Sequence, residues 1–271
     1  MTAYRRALAD WRTTALFLFG AVGCVLLYLF LLNFPPIGLR SRSAGVIPVL
    51  VLAATTAGLS VWALRAQGWP AAVLGLRRDQ WPGGRFALGL MAGTGLAVAW
   101  MCAVTMLTGA TWHANSAFSG VALLLACLFH LFNNLGEELV YRGYLFLRLT
   151  AAWGSAVATL VTSAAFALLH LQAGLPWLSV LAVVFTAALV FGAVFARWRS
   201  LPLALGCHLA TNVVQDITGL RTGAASLWVP EYPAGSAQQG PSILAVIALL
   251  NAAAAASLFL WPQRRRVDTA Q

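Results

Sequence analysis

Two adjacent glutamates, Glu137 and Glu138, stand inside the apolar stretch Asn133-Asn134-Leu135-Gly136-Glu137-Glu138-Leu139-Val140-Tyr141-Arg142-Gly143, in a chain with only seven acidic residues. A carboxylate within hydrocarbon is costly, so acids in such segments face a partner or a watery cavity and carry function. On a helix, positions three and four apart share a face. Glu137 then shares a stripe with His130, Asn133 and Tyr141, while Glu138 lies about 100° round. Glu138 precedes Arg142 by one turn, the favourable order for a pair in which each charge neutralises the other. Glu137 has no such cation on its own helix and is the better candidate for chemistry. Two further segments carry polar groups: Phe166-Ala167-Leu168-Leu169-His170, and His208-Leu209-Ala210-Thr211-Asn212. From the turn Ala152-Trp153-Gly154, Glu137 lies about 15 residues back and His170 about 17 forward. At 1.5 Å per residue both sit roughly 22–26 Å from that turn. Antiparallel neighbouring helices would bring them to one depth, a match to a buried acid that makes His170 more than an interface residue.

Each of these residues also has a plainer reading. His170 could be an interface residue at a span end, and His208 and Asn212 could hydrogen-bond between helices. Glu138 and Arg142 read as a structural pair. His130 reads by default as a packing hydrogen bond, although it shares the Glu137 stripe. His113, beside Trp112 in a short polar loop, is assigned no role, and Gln215 and Asp216 read as the polar end of a span. No rival nucleophile stands out: Ser163 and Thr162 have no histidine at helical spacing on their own face, and there is no H-E-x-x-H. Cys24, Cys102, Cys127 and Cys207 are isolated within apolar segments and read as small core residues rather than metal ligands or disulfides.

The elements that must position these groups are membrane spans. With 61% hydrophobic residues, 9% charged residues and a mean hydropathy of +0.81, the composition excludes a soluble domain, which carries roughly 25% charged residues. Eight apolar runs approach the roughly 20 residues a bilayer crossing needs. They cover about Thr13–Phe34, Ala44–Leu64, Phe86–Ala110, Phe118–Leu149, Ser155–Leu171, Trp177–Phe195, Leu203–Ile217 and Ser242–Trp261. The first is too long for a signal-peptide core and reads as an uncleaved anchor. The fourth is too long for one straight crossing, which predicts a tilt or a separate short helix at its start. Gly89, Gly93 and Gly95 offer a small face for close helix contact on the third. The expected fold is all-α: one polytopic membrane domain over residues 1–271, a bundle of about eight transmembrane helices. Its helical core covers 117–217, with N-terminal spans over 1–116 and a polar linker and last span over 218–271.

The net charge of +10 comes entirely from arginine. These arginines lie in short loops, where they act as topology signals and lipid-headgroup contacts rather than as a nucleic-acid surface. The termini and even loops hold most of them, the odd loops only Arg40, Arg42 and Arg221. The positive-inside rule then places both termini in the cytoplasm and Glu137 and His170 towards the outer half. A chain with no lysine, rich in Ala, Arg and Gly, suggests a high-GC genome and a bacterial plasma membrane.

Taken together in order, Glu137-Glu138-xxx-Arg142, Phe166-xxx-His170 and His208-xxx-Asn212 resemble the CPBP family of CAAX proteases and bacteriocin-processing enzymes (also called Abi, or type II CAAX prenyl endopeptidases). The likeness covers roughly Phe118 to Asn212, with Tyr141 where many members carry Phe. It implies an intramembrane endopeptidase in which Glu137 and His170 activate water while His208 and Asn212 stabilise the oxyanion, supported by Glu138 and Arg142. The implied partners are membrane lipids and a membrane-associated peptide or protein, prenylated or otherwise bound. No cofactor is certain. Glu137, His170 and His208 could bind zinc with one position left for water, whereas an asparagine is a poor zinc ligand and suits an oxyanion donor. The alternative is a non-proteolytic immunity or scaffold protein of the same fold. A proton-coupled transporter is disfavoured by the lack of an internal repeat.

Overall fold

A computed structural model describes residues 11–33, 46–221 and 223–260. Phe34, Arg40, Arg42, Ala44 and Trp261 lie outside the described residues. Backbone polar groups in hydrocarbon must be satisfied within their own segment, so each apolar run coils into a helix. These are α1 (Arg12–Asn33), α2 (Val46–Ala66), α3 (Pro82–Thr108), α4 (Gly120–Tyr141), α5 (Tyr144–Leu171), α6 (Trp177–Trp198), α7 (Leu201–Ile217) and α8 (Gly240–Leu260). The chain is an all-α, multi-pass membrane protein. Among the described residues, six stretches have the length and hydropathy to cross a bilayer, with Gly120–Leu171 counting as a single stretch of 52 residues. The expected number of eight crossings is not reached on that measure. α7 has 17 residues, about 25 Å at 1.5 Å per residue, short of a hydrocarbon core of about 30 Å.

Two expectations need correction. The predicted fourth span, Phe118–Leu149, is not one helix, and its separate part is its end rather than its start. α4 stops at Tyr141, and a new helix opens at Tyr144. The break sits on Gly143, at φ −79° and ψ −129°, where a Cβ would lie 2.2 Å from the Leu139 carbonyl oxygen. No side chain fits there. The anticipated turn at Ala152–Gly154 is present as a second break, with Gly154 at φ 85° and ψ 164° inside α5. The second correction concerns the loop around His113 and the linker after α7. They pair as an antiparallel ribbon, β1 (Thr111–Ala114) against β2 (Trp228–Glu231), with Thr111 opposite Glu231 and Ala114 opposite Trp228. His113, given no role from sequence, bridges to Glu231 at 3.0 Å on that ribbon.

α7 is the buried centre. Leu201 and every residue from Ala204 to Thr211 are buried. It reaches that position by packing against α3 almost backbone to backbone: a Cβ on Gly89 would lie 2.2 Å from the Leu203 carbonyl, and one on Gly93 2.2 Å from the Cys207 carbonyl. Gly95, the third glycine of the predicted small face, looks into open space. Gly93→Val is therefore expected to destabilise by about 1–3 kcal/mol or more through overpacking. Gly95→Ala should gain roughly 0.5–1 kcal/mol from lost unfolded-state freedom. Thermal unfolding of the two variants in detergent checks the contrast, and equal effects would mean that α3 and α7 do not meet this way.

One end of the bundle gathers the arginines. Trp11 at the start of α1 packs on Trp153 (5.7 Å between ring centroids), and the Arg148 guanidinium lies 4.1 Å from the Trp11 ring centroid. Arg85 donates to the Trp198 carbonyl and Arg197 to the Leu258 carbonyl, each at 3.1 Å. The start of α1, the Gly154 break and the ends of α6 and α8 thus share the face that carries Arg12, Arg85, Arg148, Arg197 and Arg199. The ribbon and the loop after α7 occupy the other end, where Ser119 N–H donates to the Ala224 carbonyl.

Candidate active site

α4 delivers both glutamates, and its twist separates them as the helical spacing predicts. Glu138 and Arg142 are fully buried, joined by Arg142 Nη1–H donating to Glu138 Oε1 at 3.1 Å. A second nitrogen, Nη2, donates to the Ala188 carbonyl on α6 at 3.0 Å, and the guanidinium lies 5.2 Å from the Phe166 ring centroid. The pair is thus wired into three helices rather than one. Glu138 does more than hold Arg142: His208 Nδ1 lies 3.0 Å from the same Oε1. Glu137 is part-exposed to the cavities and accepts from Asn133 Nδ2–H at 3.0 Å, while its Oε2 faces His208 Nε2 at 3.7 Å.

These contacts assign protons. A carbonyl or ion-paired carboxylate oxygen only accepts, so a ring nitrogen bonded to one must donate. His170 Nδ1–H donates to the Phe166 carbonyl one turn back at 2.9 Å, which leaves Nε2 as the basic nitrogen of the neutral ring. His208 Nδ1–H donates to Glu138, so its Nε2 carries a proton towards Glu137 only in the doubly protonated ring. The ring is held flat against Phe191, with centroids 4.4 Å apart and planes at 22°.

Asn212 is oriented from both sides. Its Nδ2–H donates to Asn134 Oδ1 at 3.1 Å, and its Oδ1 accepts from Arg221 Nη2–H at 2.8 Å. One N–H remains for a ligand. Glu137, His170, His208 and Asn212 all line one cavity of about 230 Å³, which reaches Arg221 and Leu175 at the arginine-poor end. Glu137 and His170 also line a larger cavity, about 510 Å³, between α1, α2, α4 and the end of α5, with Leu29, Leu32 and Leu52 on its walls. The depth match read from residue counts therefore holds, although the chain between the two residues is broken twice.

Several participants were not legible as such. His130 makes the helix-to-helix bond of its default reading, to Asp216 Oδ2 at 2.7 Å, and also lines the smaller cavity, while Asp216 is completely buried rather than the polar tip of a span. Asn134, Phe191 and Arg221 carried no signal, because only the docking of helices places them. A π-helical turn, Val180–Phe185, widens α6 beside the smaller cavity, a feature frequent at functional sites. Among the described residues no group of three His, Cys, Asp or Glu side chains could hold a metal ion.

Residues 118–214 match the family described as Type II CAAX prenyl endopeptidase Rce1-like. The match covers about a third of the chain and contains Glu137, Glu138, Arg142, His170, His208 and Asn212. Among curated proteins and solved structures, nothing matches the chain.

Proposed function

From a helical core that is of the CPBP, or type II CAAX protease, family, we propose that the chain is an intramembrane endopeptidase that hydrolyses a peptide bond of a membrane-associated substrate with activated water. The observation that carries this reading is the meeting of Glu137, His170, His208 and Asn212, from three helices, on one cavity. A water between Glu137 and His170 Nε2 gives up a proton to Glu137 as its oxygen adds to the substrate carbonyl. The tetrahedral oxyanion accepts from the remaining N–H of Asn212 and, with the His208 ring doubly protonated, from its Nε2–H. Collapse breaks the C–N bond, and protonated Glu137 returns its proton to the departing amine. Glu138 serves as the positioning anion that holds His208 in its ring orientation, and Arg142 holds Glu138.

The larger, mostly apolar cavity would receive the lipid-like part of the substrate, such as a prenyl chain. Under the positive-inside rule the arginine-rich end lies in the cytoplasm of a bacterial plasma membrane, so both cavities are reached from the opposite half. The test uses the purified protein in lipid nanodiscs with an S-prenylated peptide and an acylated control, products being read by mass spectrometry. His170→Ala is expected to lower the cleavage rate about 10²–10⁴-fold while insertion and thermal stability stay near wild type. Full cleavage by His170→Ala would remove His170 from the reaction. A prenyl-independent rate would redirect the substrate class to membrane peptides in general.

A further inference from the structure

A further cavity, of about 480 Å³, lies among α3, α6, α7 and α8. α7 divides it from the reaction cavity: Cys207 borders the one and its neighbour His208 the other. α6 contributes Val190, Val194 and Trp198, spaced about one turn apart on a single face. Apart from Arg85 and Cys207 the wall is apolar. From Arg85 to Leu96, both on the wall, α3 rises about 16 Å at 1.5 Å per residue. That is close to half of a hydrocarbon core of about 30 Å. The cavity is therefore a slot one leaflet deep, running inwards from the arginine-rich end. Its outer end is marked by Arg85, whose Nη1–H donates to the Trp198 carbonyl at 3.1 Å, and by the exposed Trp198 indole.

We propose that this slot binds one acyl chain of an anionic phospholipid whose phosphate is held by Arg85. Depth and apolar wall suit the chain, and charge selects the headgroup. Among the described residues no carboxylate pairs with Arg85. A guanidinium fork matches phosphate oxygens, and its bond to the Trp198 carbonyl engages one donor. Arg197 adds a second positive charge: its guanidinium lies 5.5 Å from the Trp198 ring centroid and donates to the carbonyl of Leu258, itself on the wall. Asp79, in the loop before α3, is held by Arg77 at 3.0 Å. A zwitterionic headgroup would bring its own cation to these arginines, whereas an anionic one brings none. Trp198 suits the same level, since tryptophan favours the membrane interface, and basic pockets between membrane helices take anionic headgroups. The chain lodged in the slot is what sets a phospholipid apart from free phosphate. Bound there, it packs on α7, the helix that carries His208 and Asn212, and stabilises the bundle whatever reaction the other cavity performs.

The full chain in detergent is titrated with phosphatidylglycerol or phosphatidylcholine of identical acyl chains, bound lipid being counted by native mass spectrometry beside thermal unfolding. Phosphatidylglycerol is expected to bind about fivefold tighter, the effect of one arginine beside an anionic headgroup, and to raise the unfolding temperature more. Arg85→Gln, which keeps a donor for the Trp198 carbonyl, should bring that ratio close to one. Arg78→Gln, on an exposed arginine that does not line the slot, should leave it unchanged. Ala92→Phe fills the slot between Arg85 and Leu96 and should reduce binding of both lipids. Equal affinity of the wild type for the two lipids overturns the proposal. So does an equal loss in Arg85→Gln and Arg78→Gln, which would make the preference a property of the whole arginine-rich face. Inorganic phosphate that raises the unfolding temperature as much as phosphatidylglycerol also overturns it, because the slot would then play no part. If Arg85→Gln does not fold, Ala92→Phe decides: undiminished phosphatidylglycerol binding in that variant places the lipid elsewhere.

Discussion

Glu137→Gln is expected to give a folded protein whose cleavage rate falls about 10²–10⁴-fold, the usual contribution of a positioned base. Glutamine preserves shape, and the Asn133 amide can still donate to its Oε1 as it does to the carboxylate at 3.0 Å. What disappears is the group that takes the proton from water and the charge that faces His208 Nε2 at 3.7 Å. Glu137 faces the cavities, so no buried ion loses its only partner and stability should hold. Glu138→Gln provides the contrast. That carboxylate is fully buried between Arg142 and His208, and its neutralisation strands a guanidinium in the core. Its first effect should be a lower unfolding temperature, with lost activity following from a misaligned His208. Rates in nanodiscs measured beside thermal unfolding separate the two variants. If both behaved identically, the assignment of Glu137 to chemistry and Glu138 to positioning would have to be abandoned.

Arg142→Met should be the most destabilising single change near the site, by about 3–5 kcal/mol, because it leaves the buried Glu138 carboxylate with only the His208 ring beside it. The same change in the Glu138→Gln background should cost much less. A buried ion pair exchanged as a unit for neutral groups is often close to neutral in stability, whereas half a pair is not. The double-mutant cycle on unfolding free energies is expected to give a coupling of about 0.5–3 kcal/mol between the two positions. Additive losses would mean that Arg142 acts through its bond to the Ala188 carbonyl and its aromatic neighbours rather than through Glu138. Neither variant should restore cleavage, since His208 loses its orienting anion in the double variant as well.

Local physics was readable from residue order. The helices follow from long apolar runs in a solvent that cannot bond the backbone, and the Glu138–Arg142 pair follows from their i,i+4 spacing. The shared depth of Glu137 and His170 follows from counting residues on either side of a turn. The close approach at Gly89 and Gly93 was legible for the same reason, although the equally plausible Gly95 was not at the contact. The missed features share one cause. Lipid tails are as apolar as a protein core, so hydrophobic periodicity does not mark which face of a membrane helix turns inward.

Tyr144-Leu145-Phe146-Leu147-Arg148-Leu149 therefore reads as more of the same span, although it starts a new helix after Gly143, where a Cβ would lie 2.2 Å from the Leu139 carbonyl oxygen. Asp216 reads as a polar tip but is buried against His130. Arg221 reads as one loop arginine among many, yet it returns to Asn212. Residue identity and spacing by themselves determined a helical membrane protein, the candidate hydrolytic groups and the division between the two glutamates. The tertiary structure alone decided which ring nitrogens of His170 and His208 meet an oxygen, what orients Asn212, and that the cavity shared by the four candidate residues ends on a cation. Each of these depends on contacts between segments far apart in the chain, and those are set by how helix faces dock rather than by any local pattern.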